Sequence, residues 1–310
     1  MVPQTAFKFR HVSNGQAVGF RSQRGNLDEK GLLLGDAFIE HAAIKDTLVR
    51  DNRLVLALEG REPFVIHVYG IPARELEKAI DRYSSARQAE LSKAELERKG
   101  EGHSFRTAAC PACGATIDLS GFDKSSYVYC RFCESLLDRG GQLVNSGDAY
   151  RVCDECGLFD RVKGYTEFYF YFLLVVYGFS SRRRHVCDNC AHRLFLKTFF
   201  INLIFLVGII PSLVLKFKSM SGRATDFAGL PRANKLASKG RFDQADREYT
   251  TILQKHPEHP GILFNQAMGH LKGGDAGQGI DLLKRSLKSC TNYLPSARLA
   301  MALSKAAEQA

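Results

Sequence analysis

Eight of the nine cysteines stand in four Cys-x-x-Cys pairs, Cys110/Cys113, Cys130/Cys133, Cys153/Cys156 and Cys187/Cys190, and Cys290 is left alone. A Cys-x-x-Cys turn points two sulfurs at one centre, and two such turns complete a tetrahedral thiolate site. Residues 114–129 separate the first two pairs, a spacing that reads as a zinc site,. Residues 157–186 separate the last two, a longer stretch that a hairpin can close. The pattern predicts two structural zinc ions, each held by four cysteines. An iron–sulfur or rubredoxin-type redox centre uses similar ligands. A thioredoxin-like redox pair needs a βαβ setting that is missing here. A disulfide framework fits poorly with regular pairs in a 310-residue chain that shows no signal peptide,.

These cysteines must be positioned by the segments around them. CPACG (110–114) and YCRFCES (129–135) resemble the two knuckles of a zinc ribbon, with ATIDLSG and SSYVYC as short strands between them. The glycine after the second cysteine suits a turn that brings backbone amides close to the sulfurs. The resemblance implies a first ribbon over 106–140 and a second over 150–193, in which zinc replaces a core too small to hold itself. The second ribbon carries an insertion. Phe168–Phe179 is almost wholly apolar and rich in aromatic and β-branched residues, so it reads as a strand or hairpin that packs on the ribbon or dips against lipid,. His185 and His192 flank the last cysteine pair, but four cysteines already satisfy the site.

Residues 194–217 follow, and the run Thr198–Leu215 has no charge. At roughly 1.5 Å per residue it nearly crosses a hydrocarbon layer of ~30 Å, while a core helix is the competing reading. A membrane segment is therefore predicted, as a single span or as a re-entrant hairpin about Gly208 and Pro211. Basic residues on both flanks, Arg182–Arg184 with Arg193 and then Lys216, Lys218 and Arg223, give no orientation,. Thiolate sites persist in reducing compartments, which places both ribbons on the cytoplasmic side of a membrane.

Residues 226–310 carry a 34-residue repeat. Ala233, Gly240, Phe242, Ala245, Tyr249 and Pro257 mark the first unit, and Ala267 and Gly274 recur at the repeat distance. This resembles a tetratricopeptide repeat, with a degenerate second unit and a closing helix over 296–310. The resemblance implies stacked helices and a surface for a protein or peptide ligand. A plain pair of helical hairpins is the simpler alternative.

Residues 1–100 alternate apolar and polar side chains in GLLLG (31–35), AIKDTLV (43–49), RLVLALE (53–59) and PFVIHVY (63–69). A helix is predicted from Ala73 to about Lys99, with Leu76, Ile80 and Tyr83 on one face. Several strands followed by one amphipathic helix resemble a pleckstrin-homology-like β-barrel closed by its C-terminal helix. The fold class expected is thus a multidomain α+β chain: barrel, two ribbons, membrane segment and helical repeats.

The formal charge is +10; two four-thiolate zinc sites would lower it to about +6. Nucleic-acid binding would need a basic stripe with interleaved aromatics, and the knuckle residues Arg131 and Arg139 are offset by Glu134 and Asp138. No phosphate loop, nucleophile elbow or His-Glu-x-x-His motif occurs, and Cys290 reads as packing. The chain resembles bacterial membrane proteins that join zinc ribbons to helical repeats. The function expected is a non-enzymatic, membrane-associated adaptor that binds protein partners. The alternative is a membrane-tethered, zinc-ribbon nucleic-acid-binding regulator, with an enzyme or redox carrier third.

Overall fold

The computed structural model describes residues 5–13, 16–19, 21–50, 52–173, 176–205 and 227–309. The chain divides into two compact units, Met1–Gly121 and Phe122–Ala310.

In the first unit, eight strands form an antiparallel sheet: β1 (Thr5–Ser13), β2 (Gln16–Ala17), β3 (Gln23–Leu27), β4 (Gly31–Leu34), β5 (Ala37–Glu40), β6 (Ile44–Arg50), β7 (Arg53–Leu58) and β8 (Phe64–Tyr69). The order is β5-β4-β3-β1-β8-β7-β6, with β2 hairpinned onto β1. The strands expected from alternation become β4, β6, β7 and β8. Helix α1 (Ala73–Arg98) covers one face. Its apolar stripe Leu76 and Ile80 is fully buried against Phe9, Leu27, Leu54, Leu56 and Ile66. The expected closed barrel is instead an open, curled sheet. It ends at β5 and β6, and no ladder joins these two strands among the described residues. One face is closed by α1. The hairpin β9 (Thr107–Ala109) and β10 (Thr116–Asp118) completes this unit, and the Thr116 amide donates to Ser85 Oγ of α1 at 2.9 Å.

The second unit begins with short strands, β11 (Tyr127–Tyr129), β12 (Leu136–Asp138), β13 (Leu143–Asn145) and β14 (Tyr150–Val152). The apolar insertion is a long hairpin, β15 (Phe159–Leu173) with β16 (Val176–Cys187), in register from Val162↔Cys187 to Leu173↔Val176. Helices follow: α2 (Asp188–Phe205), α3 (Leu230–Ser238), α4 (Phe242–Lys255), α5 (Pro260–Lys272), α6 (Ala276–Ser289) and α7 (Leu294–Glu308). The 34-residue offset has a physical meaning. Gly240 and Gly274 both adopt left-handed backbone, at φ 73° and 90°, where α3 turns into α4 and α5 into α6. Ala233 and Ala267 are fully buried where the helices meet.

The predicted membrane segment does not survive. No helix among the described residues is long and apolar enough to cross a membrane. Helix α2 starts ten residues before the uncharged run and carries Asp188, Arg193 and Lys197. It includes only Thr198–Phe205 of that run, about 12 Å of helix against the ~30 Å required. Gly208, Pro211 and the rest of 206–217 lie outside the described residues. The same finding overturns the localisation at a membrane.

Candidate metal centres

Three of the four cysteine pairs share one local geometry. In each, the amide of the first cysteine donates to the carbonyl five residues on: Cys110 to Ala115, Cys130 to Ser135 and Cys153 to Leu158, at 2.8–2.9 Å. The amide that follows the second cysteine donates back to the first cysteine's carbonyl, from Gly114, Glu134 and Gly157. These three residues have φ of 76°, 58° and 72°. Glycine takes that conformation freely. Glu134 takes it as a non-glycine residue, and its carboxylate is held by Arg151. The fourth pair is built differently. Cys187 ends β16 and Cys190 lies in the first turn of α2. No glycine follows Cys190, and the acidic Asp188 stands at the helix start, so the sequence did carry the signal for a helix rather than a knuckle.

The structure brings together all eight predicted ligands. The sulfurs of Cys110, Cys113, Cys130 and Cys133 lie within 4.8 Å of one another, and so do those of Cys153, Cys156, Cys187 and Cys190. Six of the eight are buried, with Cys133 and Cys156 half-buried. Tetrahedral zinc at ~2.3 Å from each sulfur sets the sulfurs about 3.8 Å apart, and Cys156 Sγ is 4.0 Å from Cys187 Sγ. The donor sets therefore fit two structural zinc ions. The supporting contacts fit as well. The Cys187 amide donates to Cys153 Sγ at 3.4 Å, and Arg193 Nη2 donates to Cys190 Sγ at 3.8 Å. Ser135 Oγ lies 3.2 Å from Cys133 Sγ and accepts from the Gly147 amide.

The second centre shows what such crowding demands. Hydrogen bonds from Cys156, then Cys187 and Cys190, lower the pKa of the Cys153 thiol. Cys187 moves the opposite way, through contact first with Cys153, then with Cys156 and Cys190. Four sulfurs this close cannot all ionise unless a cation neutralises them. Around them, Glu155 is pinned by Arg184 at 2.7 Å and Arg193 at 3.6 Å. Two of the basic residues on the flank of the uncharged run, Arg184 and Arg193, are thus engaged in internal ion pairs. His185 is buried and its amide donates to Asp154 Oδ2; His192 is exposed. Neither belongs to a cysteine group. Cys290 is fully buried in the helical core, and burial pushes its thiol well up.

Three asparagines that the sequence reading missed tie these zinc modules to the helices. The Phe159 amide, three residues after Cys156, donates to Asn265 Oδ1 at 2.6 Å, and Asn265 Nδ2 donates back to the Phe159 carbonyl at 2.6 Å. The same carbonyl accepts from Asn234 Nδ2 at 3.0 Å. Asn234 Oδ1 in turn accepts from Asn265 Nδ2 and from the Tyr249 hydroxyl. Next to Cys130, the Tyr129 amide donates to Asn292 Oδ1 at 2.9 Å, and Asn292 Nδ2 donates to the Tyr129 carbonyl at 2.8 Å. The Asn265 and Asn292 side chains each pair with a strand as a neighbouring strand would, while Asn234 adds a second donor to the Phe159 carbonyl. Phe159 and Tyr150 also pack with Phe227, Leu230 and Ile262, while Tyr129 and Leu136 pack with Leu263, Phe264 and Tyr293. The one available signal was Asn234, 31 residues before Asn265 and one after the repeat alanine Ala233.

Comparison with family models, with curated proteins and with solved structures finds no match to this chain.

Proposed function

We propose that the chain is a non-enzymatic adaptor that binds a protein partner, with its zinc centres acting as structural supports. A zinc ion held by four thiolates has no position left for water or substrate, which supports a supporting role. The 34-residue recurrence of Ala233/Ala267 and Gly240/Gly274 supports a tetratricopeptide-like reading of the helices. In that reading the face bearing Asn234 and Asn265 is already engaged with the chain's own Phe159. A foreign partner is better accommodated in the first unit. There a cavity of about 520 Å³ opens beside β5, the end strand of the sheet, and is lined by Phe38, Glu40, His41, Tyr83, Ala86 and Glu90. This cavity is the observation that carries the reading. Phe38 is 54% exposed on that strand, and an end strand offers unpaired backbone to an incoming peptide.

A photo-crosslinking residue placed at Phe38 in cells tests it. The reading expects adducts with one partner protein, lost when Ala86→Arg fills the cavity. Absence of adducts, or adducts indifferent to Ala86→Arg, would refute it.

A further inference from the structure

The face of the first unit's sheet turned away from α1 gathers cations. Alternation along β1 buries Phe7 and Phe9 and turns Lys8 and Arg10 to the other side. Antiparallel pairing sets Lys8 opposite Arg24 of β3 and opposite Tyr69 of β8. It sets Arg10 opposite His67, and His67 opposite Arg53 of β7. Residues directly opposite one another share a face. Four adjacent strands, about 14 Å across, therefore present Arg24, Lys8, Arg10 and Arg53 with Tyr69 and His67 among them.

Lys8, Arg24 and Arg53 are exposed and form no ion pair among the described residues. No carboxylate occupies a described position of these two rows, whereas Glu75, Glu77, Asp81 and Glu90 all lie on α1. The two rings face each other as a stacked pair, the aromatic plate of this face. His67 and Tyr69 stack with centroids 4.6 Å apart, and Arg10 Cζ lies 5.8 Å from the Tyr69 centroid. The field is felt at His67, whose pKa is lowered first by burial and then by Arg53 and Arg10. The next row, Val55↔Val65, is apolar and half-buried.

We propose that this sheet face binds single-stranded nucleic acid, with phosphates on Arg24, Lys8 and Arg53 and bases on the His67–Tyr69 plate. Cations alone would suit any polyanion. The ring plate adjoining them favours unpaired bases, because aromatic faces stack bases that a duplex keeps hidden. An anionic bilayer would use the cations and leave the plate idle. This goes beyond the adaptor reading and does not depend on it, since the cavity beside β5 and this face use different residues.

The test is fluorescence anisotropy of the zinc-loaded full chain with labelled oligothymidylate and oligouridylate of about 15 nucleotides, between about 50 and 200 mM salt. Three phosphate contacts predict a slope of log K against log salt near about −2. Combined Lys8→Gln, Arg24→Gln and Arg53→Gln should weaken binding by at least about tenfold and flatten the slope. Tyr69→Ala should weaken it about 5- to 100-fold at fixed salt and leave the slope unchanged, while Tyr69→Phe retains binding. If the triple variant fails to fold by circular dichroism, the Tyr69 pair and the native salt slope still decide. The proposal is overturned by a native Kd weaker than ~10⁻⁴ M at the lowest salt, or by variants that bind like the native chain. Loss caused instead by Arg131→Gln at the knuckle would also overturn it. So would capture of phosphatidylserine–phosphatidylcholine vesicles without capture of oligonucleotide.

Discussion

The sheet of residues 5–69 with its helix α1, and the unit Phe122–Ala310, reach order by different means. In the sheet, side chains from β1, β3, β4, β6, β7 and β8 meet α1 in one contiguous apolar core. No metal group lies within that core. In the second unit the strands β11–β14 have three residues each, too few to bury much surface. Its buried apolar residues fall into three smaller clusters, joined only at their margins by Leu253, Met268 and Cys156. The thiolate centre of Cys153, Cys156, Cys187 and Cys190 and the asparagine clamps supplement these smaller cores. The comparison teaches that a strand edge left without a further strand, at Tyr129 of β11 or Phe159 of β15, can be satisfied by a side-chain amide beside a metal centre.

Several substitutions would break or sharpen this contrast. The largest effect is expected from Cys156→Ser, which removes one ligand of the second centre. Structural zinc contributes of order 10 kcal/mol to folding in small modules. The variant should lose one of two bound zinc ions by elemental analysis and lose the near-ultraviolet signal of the second unit. A retained second ion would contradict the ligand set.

Next in the second unit is Asn265→Ala. It strips the buried Phe159 amide of its partner and removes two further bonds. A loss of about 2–3 kcal/mol is expected in urea unfolding. Leu76→Ala in the first unit should cost about 2–5 kcal/mol by opening a cavity, with no change in zinc content. A smaller loss for Asn265→Ala than for Asn189→Ala, a half-buried side chain with one hydrogen bond to the Pro231 carbonyl, would remove the clamp from the account.

Asp160 gives an effect of opposite sign. Burial raises its pKa from 3.8 to about 6, partly offset by the hydrogen bond from Asn234. Between those values the folded chain holds a proton that the unfolded chain has released. Stability is thus full below about pH 4, falls as pH rises to about 6, and stays lowered above. Asp160→Asn should therefore stabilise the protein at pH 7.5 by about 1–3 kcal/mol and flatten its pH profile. Destabilisation at that pH would show the carboxylate to be needed in its charged form.

The smallest effect expected is at Gly157. Its φ is 72° and a Cβ there would meet nothing within 4 Å. Gly157→Ala should cost about 1 kcal/mol by backbone strain alone, read as a modest fall in melting temperature with both zinc ions retained.

Much of the site was legible in the sequence, because Cys-x-x-Cys spacing reports directly on a local turn. Both cysteine groups, the glycines Gly114 and Gly157, helix α1 and the strands β4, β6, β7 and β8 follow from spacing and alternation. The failures have physical causes. An uncharged run is ambiguous between lipid and helix interior, and the start of α2 was set by Asp188 and the metal ligand Cys190 rather than by hydropathy. Strands β1 and β3 are interrupted by cations because one sheet face is open, so Lys8, Arg10 and Arg24 disguised them. The asparagine clamps join residues 106 and 163 positions apart in the chain, Phe159 to Asn265 and Tyr129 to Asn292. No local pattern announces such a pair.

Hydrogen exchange of the full chain, read by mass spectrometry before and after zinc is removed by a chelator, tests the central claim most directly. The account predicts that amides of β1–β8 and α1 keep their protection. Amides of β11–β15 and of helices α3–α7 should lose theirs together, since the strands they clamp are no longer fixed. Persistent protection of α3–α7 in the metal-free protein, or equal loss in β1–β8, would contradict it.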